Sequence, residues 1–361
     1  MSYINACPFN LKEDNIRVLW EITPRCNMNC KHCLFFQNNE KEIQNELSTD
    51  QVFNIIDNLS KESHLKAIWL SGGEPLLRKD IVDICKKISD YGIKPSLSTN
   101  GILLDKKLAD ELHSAGVEYI HLSIDGANAN THDKLRGVNG AFLKLMKVMD
   151  ILKTSPIRVG ASFMVTEESI DEIDSVIKIA KSKNLSVISF YLVAELGRGA
   201  KNFKNDKIDL AKRLNQKISE IEKNRFNKSK NDLKIEVFRA DSCKDNTKGL
   251  QECKADKFFN ITTDGNLGAC PWLMKSDNGF EVGSLLKDDF RILEKKCQDE
   301  IKRKIKERRE KMSFCGNCAY GETCRRGCMA LQLNENNVHY GLDPICPILQ
   351  KEGEIYAKIA N

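Results

Sequence analysis

Ile16-Arg17-Val18-Leu19-Trp20-Glu21-Ile22-Thr23-Pro24-Arg25-Cys26-Asn27-Met28-Asn29-Cys30-Lys31-His32-Cys33 is the stretch from which the fold is read. Ile16–Thr23 is rich in β-branched and aromatic residues and predicts a strand, and behind it three cysteines stand at C-x3-C-x2-C spacing. Positions i, i+4 and i+7 share a helix face, so three buried helical cysteines is one reading. Pro24, Asn27 and Asn29 favour a loop instead, because they break helices or bond their own backbone. Structural zinc is a second reading, but it closes on four ligands and this run offers three. Three thiolates on a loop can also hold three irons of a [4Fe–4S] cluster and leave the fourth iron open to a small molecule.

Downstream, β-rich runs at Lys66–Ser71, Lys94–Thr99, Val117–Ile124, Ile157–Val165 and Ser186–Val193 alternate with amphipathic helical patterns. Val52, Ile55, Ile56 and Leu59 share one face, as do Ile81, Ile84, Cys85 and Ile88. Thr49 and Asp105 stand at N-cap positions, Ser169 with Glu172 spells a capping box, and Gly92 and Gly116 end helices. Repeated strand–helix units imply a parallel sheet with right-handed crossovers. Six units fit between residues 16 and 223, short of a full barrel's eight. The expected fold is α/β, a partial (β/α)6 TIM-like barrel after a short extension (1–15). Residues 224–361 form a smaller cysteine-rich, loop-rich domain in this reading.

Composition bounds the function. The 361 residues carry 56 Lys+Arg against 51 Asp+Glu, a net +5 that suggests neither a nucleic-acid nor a membrane partner. No basic, apolar amino-terminal signal and no run near the ~20 apolar residues of a membrane span is present, so a cytoplasmic location is expected. There thiols stay reduced, which turns 14 cysteines into a question about metals. Asp289–Lys311 is a helical run loaded with Lys and Arg, read as a solvated face rather than a docking surface for an acidic partner.

In a parallel β/α fold the ligand site gathers at the carboxyl ends of the strands. Following the second run comes Ser71-Gly72-Gly73-Glu74-Pro75, whose glycines admit close backbone approach and whose Glu74 can accept from an ammonium group. After the third comes Ser98-Thr99-Asn100-Gly101, and the fourth ends Leu122-Ser123-Ile124-Asp125-Gly126, where alternation sends Ser123 and Asp125 to one side. His132-Asp133-Lys134-Leu135-Arg136-Gly137 follows.

The cysteine run and its order with these strand ends resemble the radical S-adenosylmethionine (SAM) superfamily. The resemblance implies that Cys26, Cys30 and Cys33 ligate a [4Fe–4S] cluster whose open iron chelates SAM. It also implies reductive cleavage of SAM to methionine and a 5′-deoxyadenosyl radical. Carried over residue by residue, His32 would lie beside the adenine, Gly72, Gly73, Glu74 and Pro75 would take the methionine amino group, Ser98, Asn100, Ser123 and Asp125 would line the SAM pocket, and Arg136 would reach the carboxylate. An external electron donor of flavodoxin or ferredoxin type is implied as well.

Toward the carboxyl end, Cys253 is followed by eleven residues, Gly265, four residues and Cys270. Cys315-x2-Cys318-x5-Cys324-x3-Cys328 and then Cys346 come next. These intervals resemble the SPASM domain, which carries two auxiliary [4Fe–4S] clusters, for three in all. One would take Cys315, Cys318, Cys324 and Cys346, the other Cys253, Cys270 and Cys328, with Cys243 completing the set or the last iron left open to substrate. A pair of zinc knots is the alternative. Cys85 is read as core, Cys7 and Cys297 have no assigned partner, and His64, His113 and His339 are read as surface or turn residues without metal-like company.

SPASM proteins mostly modify ribosomally made peptides or proteins, so the first expectation is hydrogen abstraction from a peptide or protein, giving a crosslink or an oxidation. Only about fifteen residues precede the first strand, so a separate leader-recognition protein is expected, or leader-independent binding. Pro271-Trp272 stands where sulfatase-maturing members have an Asp, which disfavours that activity. The alternative expectation is tailoring of a tetrapyrrole or other cofactor precursor, since Trp20-Glu21-Ile22-Thr23 and Gly197-Arg198-Gly199 also resemble haem-pathway members. A non-catalytic iron–sulfur scaffold would not need the SAM pocket.

Overall fold

The computed structural model describes residues 15–35, 46–193, 196–203, 207–223, 233–237, 258–274 and 280–311. Strands β1 (Ile16–Thr23), β2 (Leu65–Gly72), β3 (Lys94–Thr99), β4 (Tyr119–Ser123), β5 (Arg158–Val165) and β6 (Val187–Leu192) fall within two residues of their predicted bounds. Between them lie α1 (Thr49–Leu59), α2 (Ile81–Asp90), α3 (Lys106–Ser114), α4 (Ala129–Arg136), α5 (Ala141–Lys153) and α6 (Ile173–Ser182). Val52, Ile55, Ile56 and Leu59 of α1 and Ile81, Ile84, Cys85 and Ile88 of α2 are buried, as their spacing requires. Beyond β6 come α7 (Arg198–Asn202), α8 (Lys207–Lys223), β7 (Lys234–Val237), β8 (Phe258–Ile261), β9 (Asn266–Gly268), α9 (Pro271–Met274), β10 (Glu281–Ser284) and α10 (Phe290–Lys311).

The sheet runs β10-β9-β8-β1-β2-β3-β4-β5-β6-β7. Strands β1 to β7 lie in chain order, each parallel to the next. Without a reversal of order the crossover helices all pack on one face, which is the winding of a barrel. Curvature shows on the other face, where Leu19, Trp69, Tyr119, Val187 and Phe258 from five strands form one inner cluster. The Trp69 and Tyr119 rings meet edge-on at 5.5 Å across the intervening β3. The large outer core lies between strands and helices and includes Val18, Trp20, Ile68, Leu97, Ile120 and Phe163.

Three expectations change. The six counted units are extended by a seventh parallel strand, β7, at one edge and by β8, parallel to β1, at the other. Four-residue strands are too short to announce themselves by alternation. The α1 N-cap is Ser48, one residue before Thr49: its hydroxyl accepts from Gln51 N, and the Gln51 side chain returns to Ser48 N. Ser169 and Glu172 form no capping box. Ser169 Oγ donates to Met164 O, and the Glu172 carboxylate reaches across to accept from Ala127 N, Asn128 Nδ2 and Thr131 Oγ1, pinning the start of α4.

Helix α10 is a solvated helix on its outer side. Its buried face carries Phe290, Leu293, Cys297 and Ile301, while Arg303 and Lys311 pair with Glu300 and Glu307 within the helix. No helix among the described residues is long and apolar enough to cross a membrane.

Candidate active site

The cysteine segment leaves β1 and runs through residues 24–35 without helix or strand, the loop form expected from Pro24, Asn27 and Asn29. Three neighbours hold it. The loop after β2 docks on its start: Gly73 N donates to Thr23 O at 2.8 Å and Glu74 N to Arg25 O at 2.7 Å. A Cβ on Gly73 would stand 2.1 Å from Arg25 O, and one on Gly72 2.5 Å from Thr23 O. The glycines therefore admit backbone, that of the cysteine loop, at close range.

The carboxyl end of α4 holds the middle. Asn29 N donates to Arg136 O and Lys31 N to Leu135 O. Gly137, at φ +70°, ends the helix where a Cβ would meet Asn29 O at 2.4 Å. Helix α7 and the residue before it hold the far end: Arg198 N donates to Cys33 O, Asn202 Nδ2 donates to Lys31 O, and Gly197 (φ +57°) passes within Cβ distance of Cys33 O. Cys26, Cys30 and Cys33 consequently pack into one cluster with Met28, Ile102, Val138 and Ala141.

A polar constellation abuts the thiols. Asp125, 1% exposed, accepts from Met164 N on Oδ1, and its Oδ2 lies 2.6 Å from Arg136 Nε and 3.3 Å from His32 Nε2. Arg136 Nη1 donates to Cys30 Sγ at 3.6 Å. Asp125 N donates to His132 Nδ1 at 3.1 Å. Glu74 is buried beside them. Its carboxylate accepts from Thr99 Oγ1 (2.6 Å), Leu76 N (3.1 Å) and Asn100 N (2.8 Å), and Asn100 Nδ2 donates to Asn27 Oδ1 (2.7 Å). One register row farther on, Ser123, Ser162, Ser189 and Glu236 stand side by side on the inner face of β4 to β7.

Burial sets the protonation states. It pushes the Cys26 thiol up to about 12 and raises Cys30 as well, with Arg136 opposing, so a metal loaded here must displace thiol protons. Desolvation lowers His32 to about 4, leaving a neutral imidazole at physiological pH, and likewise lowers His132 to about 4. Burial alone would raise Asp125; Arg136, with His32, His132 and the Met164 N–H, together outweigh it and hold the carboxyl below its ordinary range. Glu74 is shifted upward by burial, against its three donors.

Cys26, Cys30, Cys33, His32, Glu74, Asn100, Asp125 and Arg136 thus lie near one another at one rim. Pro75 opens a short 3-10 turn behind Glu74, Ser98 is half-buried in register with His121, and Ser123 is half-buried at the end of β4. Arg136 pairs with a buried acid rather than a surface one. Cys270 is buried at the start of α9, which is tied to β1 through Asn260: its Nδ2 donates to Glu21 Oε1 and contacts Met274 Sδ. Cys243, Cys253, Cys315, Cys318, Cys324, Cys328 and Cys346 lie outside the described residues. Given no site role from sequence were Asn27, Thr99, His132, Glu172 and Asn202. Also missed was the buried Arg78, which donates to Ile22 O and Leu47 O and pairs with Asp80 and Glu46 beneath the cysteine loop. Asn27, Thr99 and His132 stand inside the quoted motifs, Glu172 in the expected capping box, and Asn202 three residues beyond Gly199.

The donor set fits an iron–sulfur cluster with a polar small molecule beside it. Three thiols converge on one loop, and His32 Nδ1 is buried without a hydrogen-bond partner next to them. Comparison with known proteins agrees. Residues 20–180 match the sequence profile of the Radical SAM superfamily. The AdoMet-dependent heme synthase of Methanosarcina barkeri is 28% identical over 338 residues, covering 91% of this chain and 95% of that protein. The mycofactocin maturase MftC of Mycolicibacterium smegmatis is 26% identical over 348 residues, covering 93% and 85%. Among solved structures, Streptococcus suis SuiB bound to precursor peptide SuiA superposes with a TM-score of 0.74 at 18% identity, covering 94% of this chain and 77% of that one. That likeness speaks for the fold alone.

Proposed function

We propose that this chain, a radical SAM enzyme by its domain at residues 20–180, holds its SAM-binding cluster on Cys26, Cys30 and Cys33 and acts on a tetrapyrrole. When bound, the cluster and SAM supply reductive cleavage to methionine and a 5′-deoxyadenosyl radical, the hydrogen-abstracting species. The protein's part is positioning. Gly72 and Gly73 bring Glu74 against the cysteine loop, where its carboxylate has room for an ammonium donor beside Thr99 and Asn100. Neutral His32 offers an unpaired buried nitrogen and an apolar ring face to a base. Arg136, fixed by Asp125, keeps a positive charge beside Cys30, which favours its thiolate and suits a carboxylate ligand nearby.

The tetrapyrrole reading is carried by the full-length likeness to a heme synthase, which spans 95% of that protein including its carboxyl-terminal part. Trp20-Glu21-Ile22-Thr23 and Gly197-Arg198-Gly199, which clamp the two ends of the cysteine loop, resemble the same pathway. The peptide expected first from the SPASM spacing is the second reading, supported by the likeness to MftC and to the fold of peptide-bound SuiB. Two auxiliary clusters on the carboxyl-terminal cysteines, Cys243 among them, belong to the proposal, as do the division at residues 223/224 and an external electron donor.

Anaerobically reconstituted protein should form 5′-deoxyadenosine from SAM, and Cys26→Ala should not. An iron porphyrin bearing carboxylate side chains should raise that formation and change mass. Stimulation only by a peptide encoded beside this gene would replace the tetrapyrrole with the second reading. Zinc without iron in the purified protein would overturn both.

A further inference from the structure

Across the molecule from the cysteine loop, where the chain enters β2, three ligand-type side chains from distant parts of the sequence converge. Glu62 and His64 lie in the loop between α1 and β2, and Glu294 lies on the first turns of α10. One donor atom from each can be chosen so that all lie within 4.8 Å of one another. His64 Nε2 stands 3.1 Å and 3.2 Å from the two oxygens of Glu294, and Nδ1 stands 3.5 Å from Glu62 Oε2. Both carboxylates are buried while the imidazole edge is partly open to solvent, which provides an entry path.

Charge is unbalanced at this point. Glu62 is paired with Arg291, at 3.1 Å and 3.4 Å. Glu294 receives the Gln298 amide at 3.2 Å and has no Lys or Arg ion pair among the described residues. A buried carboxylate without a cation is costly, so something positive belongs on the line between Glu294 and His64. One N–H shared between two nearly equidistant oxygens is a poor bond. A metal ion about 2.0–2.2 Å from imidazole nitrogen and carboxylate oxygen places its donors roughly 3 Å apart, as they are here.

We propose that Glu294 and His64, with Glu62 as third ligand, bind a divalent transition ion of the class that imidazole and carboxylate share, Zn2+ or Mn2+. The ion would staple α10 to the amino-terminal rim of the sheet. Asn58 already docks the same segment, donating to Asp288 O and accepting from Phe290 N. The site lies at the strand ends opposite the cysteine loop, so its role is structural, and it does not depend on which substrate is processed.

The test uses reconstituted holoprotein with its clusters oxidised and EPR-silent, titrated with Mn2+ while the six-line signal of the free ion is followed. One Mn2+ per chain should bind, Zn2+ should displace it, and the melting temperature should rise with either ion. Glu294→Gln, which keeps the side-chain shape, and His64→Ala should each weaken binding at least tenfold and remove the thermal shift, with iron content and circular dichroism unchanged. Mn2+ binding that persists in Glu294→Gln overturns the assignment. So does the absence of bound Mn2+ and Zn2+ in the wild type. Should His64→Ala fail to fold, Glu294→Gln decides alone.

Discussion

Gly73→Ala is the sharpest probe of how the cysteine loop is held. The new methyl would stand 2.1 Å from Arg25 O and 2.6 Å from Arg25 C, both backbone atoms that no rotamer change can move. Reaching an ordinary 3.4 Å contact takes roughly 1.3 Å of separation between the two loops. Gly73 does not occupy the left-handed region, so the effect comes from contact and not from backbone conformation. Parting the loops breaks the bonds from Gly73 N to Thr23 O and from Glu74 N to Arg25 O. Two such bonds plus the overpacking amount to about 2–4 kcal/mol. Misplacement of reacting groups by about 1 Å lowers a rate on the order of 100-fold. Iron per chain and initial 5′-deoxyadenosine formation would be measured after anaerobic reconstitution. Gly92→Ala is the control: nothing lies within 4 Å of its Cβ and φ is +71°, so a loss of about 1 kcal/mol in stability is expected with cleavage intact. Full iron content and a wild-type rate in Gly73→Ala would refute the close-approach reasoning.

Arg136→Met should destabilise the protein by about 3–5 kcal/mol in urea, because Asp125 is left buried without its cation, and Arg136→Met/Asp125→Asn should recover part of that. Strict additivity of the two single losses would count against the pairing. Asp125 sits below its ordinary range, so its contribution is present above the unfolded value near ~4 and disappears as pH falls further. His132 acts in the same direction over a higher pH window. Its folded value of about 4 lies below the unfolded ~6.5, so the unfolded chain takes up the proton first and stability falls as pH drops through that window. His132→Asn, which can still accept from Asp125 N, should flatten this slope; an unchanged slope would reject the assignment. Glu172→Gln should cost about 1–2 kcal/mol in thermal stability by weakening three bonds at the start of α4, and no change would show that they are dispensable.

The core strands, the buried helix faces and the loop nature of the cysteine run were legible because each depends on residues close in sequence. Alternation, 3.6-residue spacing and the turn chemistry of Pro and Asn operate over a few positions, so Ile16–Thr23 and Lys94–Thr99 can be delimited without a partner. Where signals were short or ambiguous, neighbours decided. Ser169 and Glu172 have capping-box spacing, yet Glu172 finds three donors around the start of a helix more than forty residues away. Strands β7 and β8 have four residues each and were visible only once edges existed for them to join.

By itself the sequence determined a six-unit parallel core and a thiol loop at a strand end, together with the chemistry that such thiols support. Tertiary structure decided who faces whom. It turned the glycines toward the cysteine backbone, joined Arg136 to Asp125 and Cys30, and brought Glu294 to His64 across 230 residues. The physical reason is that local periodicity depends only on the dihedral preferences of neighbouring residues. Convergence of distant side chains depends instead on strand order and curvature, which appear only when the whole sheet curls around its core.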